Sequence, residues 1–317
     1  MAAGGRRISS KDNPQDNARL LGIHIRTAGG LMSGARHAVE IGCTTFQIMS
    51  GNPSAWNPGS LDERQALQFR DFLDAHSLRP VFLHAGYLIN LSCRTGRNAP
   101  LYAKSVKLAI DTIERARALS CEYVVMHMGS RRGISADAAL TAFTDGIIRM
   151  DKAVNSGGAG RKKSQGLEGS VMLLLENSAG AGDTVGSTFE ELAEVLAAAE
   201  ERGVRLPLGI CLDTAHLWGA GYDLRSGAAA RRAIDDFDRV VGIDRLHLIH
   251  LNDSPLELGA KRDKHEHPGC GLIPIKGLEG LARDRRLRAV AMIMETPGGT
   301  DPSDTQRMDD LRALAGV

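Results

Sequence analysis

Eight short apolar runs, separated by longer stretches with helical spacing, constrain this chain more than any other feature. They are LLGIHI (20–25), TTFQIM (44–49), PVFLH (80–84), YVVMH (123–127), VMLLLE (171–176), LPLGICLD (206–213), LHLIHL (246–251) and AVAMIME (289–295). Each is apolar nearly throughout instead of at alternate positions, which fits strands covered on both faces, as in a parallel sheet. The segments between them carry helix signals. Ser60 with Glu63 and Ser187 with Glu190 have capping-box spacing. Behind these pairs, Ala66, Phe69, Phe72 and Leu73, and then Leu192, Val195, Leu196 and Ala199, each follow one helical face.

Eight strands alternating with helices match a (β/α)8 TIM barrel, an α/β fold that needs about 250 residues and tolerates insertions. Residues 1–18 are expected to form a flexible N-terminal tail, and residues 19–317 a single catalytic domain. An open doubly wound sheet is the alternative, but no GxGxxG turn follows the first run. The Gly-, Ser- and Lys-rich segment 151–169 reads as a mobile loop. Because it precedes a strand, it should lie at the face opposite an active site.

Composition sets limits without choosing a function. With 317 residues, 43% of them hydrophobic, the chain can bury a sizeable core. Lys and Arg together number 39 against 38 acidic residues, so polyanion binding would have to come from local clustering. The five cysteines are scattered and form no CxxC pair, which argues against a disulfide framework and against a zinc-thiolate finger. A reducing cytoplasm fits that usage. No apolar stretch approaches the ~20 residues that cross a bilayer, and the start lacks the h-region of a secretory signal.

The chemistry lies where the runs end. His84, His127, Glu176, Asp213, His216, His250, Asp263, His265 and Glu295 all fall at or just after those ends, from the third run to the eighth. In a TIM barrel the C-terminal strand ends and the loops after them build the active site. One histidine there is more often a hydrogen-bonded core residue than a ligand, but joint placement changes the reading. Asp213 and His216 are three apart where a strand turns into a loop. Asp263 and His265 are two apart, which in an extended segment directs both side chains to one side. A carboxylate at the end of a buried strand needs a cation or dense hydrogen bonding. Five histidines and four carboxylates exceed the needs of a single catalytic zinc, so two or three ions are implied. Imidazole with carboxylate favours zinc or manganese over magnesium, and such a cluster suits phosphoester hydrolysis.

Other histidines fall outside the set. His247 has the opposite strand parity to His250 and should point to the helix layer; His37 and His76 lie in helical segments and should be exposed. His267 has no partner at clear spacing, and His24 is placed on the floor of the site without a ligand role.

From Leu21 to Glu295 the chain resembles the endonuclease IV family of metal-dependent apurinic/apyrimidinic endonucleases. The resemblance is carried by GIHIRTAGGL (22–31), HAGYLINL (84–91), HMGS (127–130), ENSAG (176–180), DTAHLWGAGYDLRS (213–226), HLND (250–253), RDKH (262–265) and METP (294–297). It implies three zinc ions, with manganese an alternative at some positions. His84, His127 and Glu176 would hold one, with Glu176 bridging to a second bound by Asp213, His250 and Glu295. The third would sit among His216, Asp263 and His265. Glu176, Asp213 and Glu295 would be the catalytic carboxylates of a hydrolysis 5′ to abasic sites in duplex DNA, and no side chain need act as nucleophile. Damaged duplex DNA is the implied partner of a monomeric, cytoplasmic enzyme of base excision repair.

The implied DNA contacts are Tyr87 and Leu88, which match positions that enter the duplex when the damaged nucleotide is flipped out. Arg262 and Lys264 belong to a basic set at the strand ends with Arg94, Arg97, Arg131, Arg132, Arg225 and Lys261. Two positions depart from the family pattern: Ser54 stands where an Arg that probes the stack is usual, and Cys270 replaces a usual Glu. Loss of that Arg points to weaker abasic-site affinity or an altered lesion preference. A sugar isomerase or epimerase of the same barrel group is the alternative, because fold alone does not settle function.

Overall fold

The computed structural model describes residues 19–155, 171–297 and 303–317. All eight apolar runs form strands: β1 (Leu21–Ile23), β2 (Phe46–Met49), β3 (Val81–His84), β4 (Tyr123–His127), β5 (Met172–Glu176), β6 (Leu208–Asp213), β7 (Leu246–His250) and β8 (Ala291–Met294). They are parallel and ordered β1-β8-β7-β6-β5-β4-β3-β2. A parallel bridge between His24 and Gln47, with Ile25 N donating to Gln47 O at 2.8 Å, joins the two ends into a barrel.

Two apolar layers explain the continuous hydrophobicity. Inward-facing Phe82, Val125, Leu174, Cys211, Leu248, Ala291 and Ile293 fill the barrel, while the outward-facing alternates pack under helices. Those helices include α1 (Leu31–Glu40), α2 (Glu63–Ala75), α3 (Ala99–Leu119), α4 (Ala136–Asn155) and α5 (Phe189–Glu201). They continue with α6 (Thr214–Ala220), α7 (Gly227–Val240), α8 (Ile275–Ala282) and α9 (Asp304–Ala315). Phe69 of α2 meets Phe46 of β2 edge-on with ring centroids 6.4 Å apart, a pair that adds about 0.5–1.5 kcal/mol beyond its buried area.

Both helix starts lie later than the capping-box spacing implied. Asp62 caps α2, accepting from Gln65 N at 2.9 Å, and Thr188 caps α5, accepting from Glu191 N at 3.2 Å. Glu191 reaches back to Gly186 N and Ser187 N, at 2.8 and 2.9 Å, and satisfies donors ahead of the helix. Asp151 to Asn155, expected in a loop, form the last turn of α4; the rest of segment 151–169, like tail 1–18, lies outside the described residues.

Histidine placement also departs from simple parity. A register shift between Ile210 and Cys211 leaves His247 as the extra residue of β7. An extra residue cancels the alternation of a strand, so His247 turns inward instead of toward the helices. Its ring lies 5.6 Å from that of Tyr123, in the space left by Gly209, where a Cβ would collide with it. His37 is half-buried because its Nε2 is 2.9 Å from the fully buried Asp304, which ties α1 to α9. His76 is exposed as expected, just past α2, and stacks on Phe72 at 4.0 Å. No helix among the described residues is long and apolar enough to cross a membrane.

Candidate metal centre

The last inward-facing residues of β3 to β7 are His84, His127, Glu176, Asp213 and His250, and Glu295 takes the same position just after β8. Directly beneath them lie Phe82, Val125, Leu174, Cys211, Leu248 and Ile293, so the polar ring stands on an apolar floor. Glu176, Asp213 and His250 are completely buried. Three overlapping groups result: His84, His127 and Glu176; Glu176, Asp213, His250 and Glu295; and Asp213, His216 and His265. In each group the ligand-type atoms lie within 4.8 Å of one another.

Glu176 is at the centre. Its Oε2 lies 3.2 Å from His84 Nε2 and 3.5 Å from His127 Nδ1, while its Oε1 lies 3.2 Å from His250 Nδ1 and 3.4 Å from His216 Nδ1. Asp213 joins the other two groups. Its residue caps α6 through Oδ1, which accepts from His216 N at 2.8 Å. Its Oδ2 lies 3.4 Å from His265 Nε2 and 3.8 Å from His250 Nδ1. The chain therefore enters a short helix after Asp213, not a loop, and the cap fixes the Asp213–His216 spacing. Asp263 and His265 lie outside regular secondary structure, and Asp263 Oδ1 is 3.2 Å from both His216 Nε2 and His265 Nε2. Asp263 is the exposed member of the set.

Hydrogen bonds behind the ligand atoms set the ring orientations. His84 Nδ1 faces Ala85 O at 2.7 Å, His216 Nδ1 faces Asn177 O at 3.0 Å, and His250 Nε2 faces Gln47 Oε1 at 3.0 Å. In each ring a nitrogen is then directed at the acidic cluster, the arrangement that orients and strengthens metal-binding imidazoles. Two side-chain amides donate to the carboxylates, and a third holds the Asp213 backbone. Gln47 Nε2 donates to Glu295 Oε1 at 2.5 Å, Asn252 Nδ2 donates to Asp213 Oδ2 at 2.6 Å, and Asn177 Oδ1 accepts from Asp213 N at 2.6 Å. None of the three was foreseen, although each had a signal. Gln47 is a polar residue at an inward position of an apolar run, and Asn177 and Asn252 follow ligands in ENSAG and HLND.

The electrostatics fit a cation site. Burial opposes charge on Glu176 and Glu295, yet the surrounding histidines hold both well below the usual carboxylate range. Burial likewise opposes charge on His216 and His265, but the neighbouring carboxylates, Asp213 foremost, raise them to about 9 and about 10. His127 goes the other way: burial pushes it down, helped by His84 and His216, against Glu176. His265 Nε2 is buried and makes no hydrogen bond of acceptable angle although Asp263 Oδ1 lies 3.2 Å away. Donor atoms that converge off-axis on a shared space are what a cation requires, and imidazole with carboxylate is a donor set for zinc or manganese.

The centre lies at the base of a cleft of about 1030 Å³, whose wall carries the cations Arg26, Arg115 and Lys264. Arg26 and Arg115 were not among the expected residues. Tyr87, 63% exposed, stands between this cleft and a second cavity of about 500 Å³ that also contains Leu88 and Trp56. Ser54, Arg262 and Lys264 are all exposed, and of the three Lys264 lines the cleft. The basic set is partly self-neutralised: Arg94 pairs with Asp145, Arg131 with Asp183 at 3.5 Å, and Arg225 with Asp223 at 3.0 Å. Arg262 and Lys264 have no carboxylate within salt-bridge distance among the described residues.

Residues 35–316 match the family model described as a xylose isomerase-like TIM barrel. A relative from Oleidesulfovibrio alaskensis, named probable endonuclease 4, is 39% identical over 97% of this chain and 98% of its own length. The crystal structure of endonuclease IV from Thermus thermophilus superposes with a TM-score of 0.78 and 34% identity, covering 94% of this chain and 99% of that one. A D-tagatose 3-epimerase-like protein superposes at 0.64 with 18% identity, over 93% and 97% of the two chains, which shows a common fold alone. Similarity at this level over nearly the full length, together with a closed parallel barrel, means that the chain belongs to the endonuclease IV family of xylose isomerase-like TIM barrels.

Proposed function

We propose that this protein is a zinc-dependent endonuclease of base excision repair, hydrolysing the phosphodiester 5′ to abasic sites in duplex DNA. The observation that carries this reading is the sharing of Glu176 and Asp213 among three groups of ligand-type side chains at the base of one cleft. Zinc fits the donor set; His84, His127 and Glu176 would hold one ion, Glu176, Asp213, His250 and Glu295 a second, and His216, Asp263 and His265 a third, with Asp213 also facing it. When bound, such ions supply Lewis-acid stabilisation of the reacting phosphate and lower the pKa of water.

The chain's own residues do the rest. Glu176 and Asp213, each shared by two of the groups, would offset the repulsion between neighbouring cations. Gln47, Asn177 and Asn252 hold the carboxylates in place, which limits reorganisation during the reaction. Tyr87, which lines both cavities, and Leu88, which lines the second, would enter the space of an extruded nucleotide, and Lys264 and Arg262 would offer charge to the DNA backbone. Ser54 brings no guanidinium to the β2–α2 loop, so more of the recognition falls to Tyr87. Monomeric action in the cytoplasm is part of the same reading.

A duplex with a single tetrahydrofuran abasic analogue tests it. The metal-loaded protein should cut 5′ to the analogue and leave a 3′-hydroxyl, while free ketoses should not turn over. Fully loaded protein that leaves the duplex intact would overturn the assignment.

A further inference from the structure

Asp253 closes the HLND segment three residues beyond His250 and is completely buried. Its carboxylate accepts four backbone N–H groups. Oδ1 accepts from Ser254 at 2.7 Å and Ile273 at 2.9 Å; Oδ2 accepts from Gly269 at 3.0 Å and Gly271 at 2.9 Å. Its main chain makes a reciprocal pair with Glu266, the residue after His265, at 3.0 and 2.8 Å. A Cβ at position 271 would press against Asp253 Oδ1 and the Ser254 carbonyl, so only glycine fits beside the carboxylate.

Apart from that bridge, residues 254–274 contain no helix or strand, yet they carry Asp263 and His265 to within 3.2 Å of one another. A segment without ladder hydrogen bonds needs other partners for its buried backbone groups. Asp253 supplies them at both ends: it gathers 269–273 onto the start of the loop and pins 266 beside the ligand pair.

We infer that Asp253 is a positioning residue, touching neither metal nor substrate, that sets Asp263 and His265 against His216 and thereby builds the third cation group. The inference rests on the reading of His216, Asp263 and His265 as one ion's ligands. The Asp253 carboxylate bonds to backbone N–H groups and to none of these three side chains among the described residues, so its effect would be transmitted through the loop backbone.

The test compares Asp253→Asn and Gly271→Ala with wild type. Asn keeps the size of the side chain but opposes some of the four N–H donors with N–H groups of its own. Ala leaves Asp253 in place and crowds its cradle. Each variant, titrated with Zn²⁺, should bind one equivalent fewer than wild type while keeping the sites around His84 and Glu176. In metal-free protein, the amides of Gly269, Gly271 and Ile273 should exchange with solvent at least about 100-fold faster, as expected for losing charge-assisted hydrogen bonds, while Ile249 in β7 stays protected. A general loss of stability would speed Ile249 as well and would not single out one metal equivalent. If Asp253→Asn does not fold, Gly271→Ala alone decides. Full Zn²⁺ stoichiometry with binding constants unchanged overturns the inference, and so do unchanged exchange rates at the three amides. A wild type that lacks the third equivalent defeats the ion assignment instead; the amide exchange then still decides whether Asp253 holds the loop.

Discussion

Gln47 links His250 at the end of β7 to Glu295 just after β8: its Nε2 donates to Glu295 Oε1 at 2.5 Å while its Oε1 faces His250 Nε2 at 3.0 Å. A single amide thereby fixes which nitrogen of His250 faces Glu176 and leaves Glu295 Oε2 to face that same His250 Nδ1 at 3.0 Å. Replacing it by Leu keeps the volume and removes both bonds. Gln47→Leu should lower metal affinity or cleavage by roughly 10–100-fold, the usual effect of losing such a partner. Zinc titration together with single-turnover cleavage checks this; unchanged values for both would show that Gln47 only fills space.

His216 holds the third group to the other two, since its ring lies 3.2 Å from Asp263 and 3.4 Å from Glu176. His216→Ala should reduce cleavage by at least about 100-fold, more than loss of a supporting partner costs. The barrel should survive, because α6 keeps its Asp213 cap and the apolar floor is untouched. Circular dichroism and metal analysis separate the two effects, and undiminished cleavage would rule out the third-ion assignment.

In metal-stripped protein, stability should fall at alkaline pH. His216 and His265 are raised in the folded state to about 9 and about 10, against about 6.5 in an unfolded chain. A raised folded pKa means stability that is fully present below about 6.5 and lost as pH climbs through the folded values. Thermal unfolding of stripped protein should therefore move to lower temperature between pH 7 and pH 10, and His216→Ala should flatten that slope. A melting temperature that rises over this interval contradicts the proposed pairing.

Tyr87 offers an exposed ring at the edge of the cleft, 6.0 Å from His84 and 6.4 Å from His127 by ring centroids. Tyr87→Ala should weaken binding of abasic duplex by about 1–3 kcal/mol, the range for losing a ring that stacks on a base. Metal content should not change. Equilibrium binding with catalysis blocked by chelation tests this, and equal affinity would move the DNA path away from Tyr87.

Thiol chemistry should single out one cysteine. Cys43, Cys93, Cys121 and Cys211 are buried and only Cys270 is exposed. Burial pushes the Cys43 and Cys211 thiols up to about 12, and so keeps them protonated and unreactive. A disulfide reagent should titrate one thiol per native chain, and Cys270→Ser should abolish that reaction. More than one fast thiol would indicate that the barrel opens.

The local alphabet of the fold was legible from one dimension. Every strand coincides with an apolar run, because a strand covered on both faces leaves no room for polar residues except at its end. For the same reason the polar cluster at the strand ends could be read: His84, His127, Glu176, Asp213, His250 and Glu295 all keep the parity that points to the axis. Parity failed only at His247, where the β7 bulge inserts a residue that no pattern of hydrophobicity announces. Exposure failed at His37, whose partner Asp304 lies far away in sequence on the last helix.

What the sequence determined by itself is therefore the eightfold alternation and the identity of the polar residues at the strand ends, since both follow from local spacing. Only the closed barrel decided that Glu176 and Asp213 are shared between groups and that Gln47 joins His250 to Glu295. The tertiary structure also placed Asp253 under a loop it does not adjoin along most of its length, and matched Arg94 and Arg131 to carboxylates from other segments. These relationships depend on distances between residues on different strands and loops, set by barrel closure and loop packing, and no local pattern in the chain encodes them.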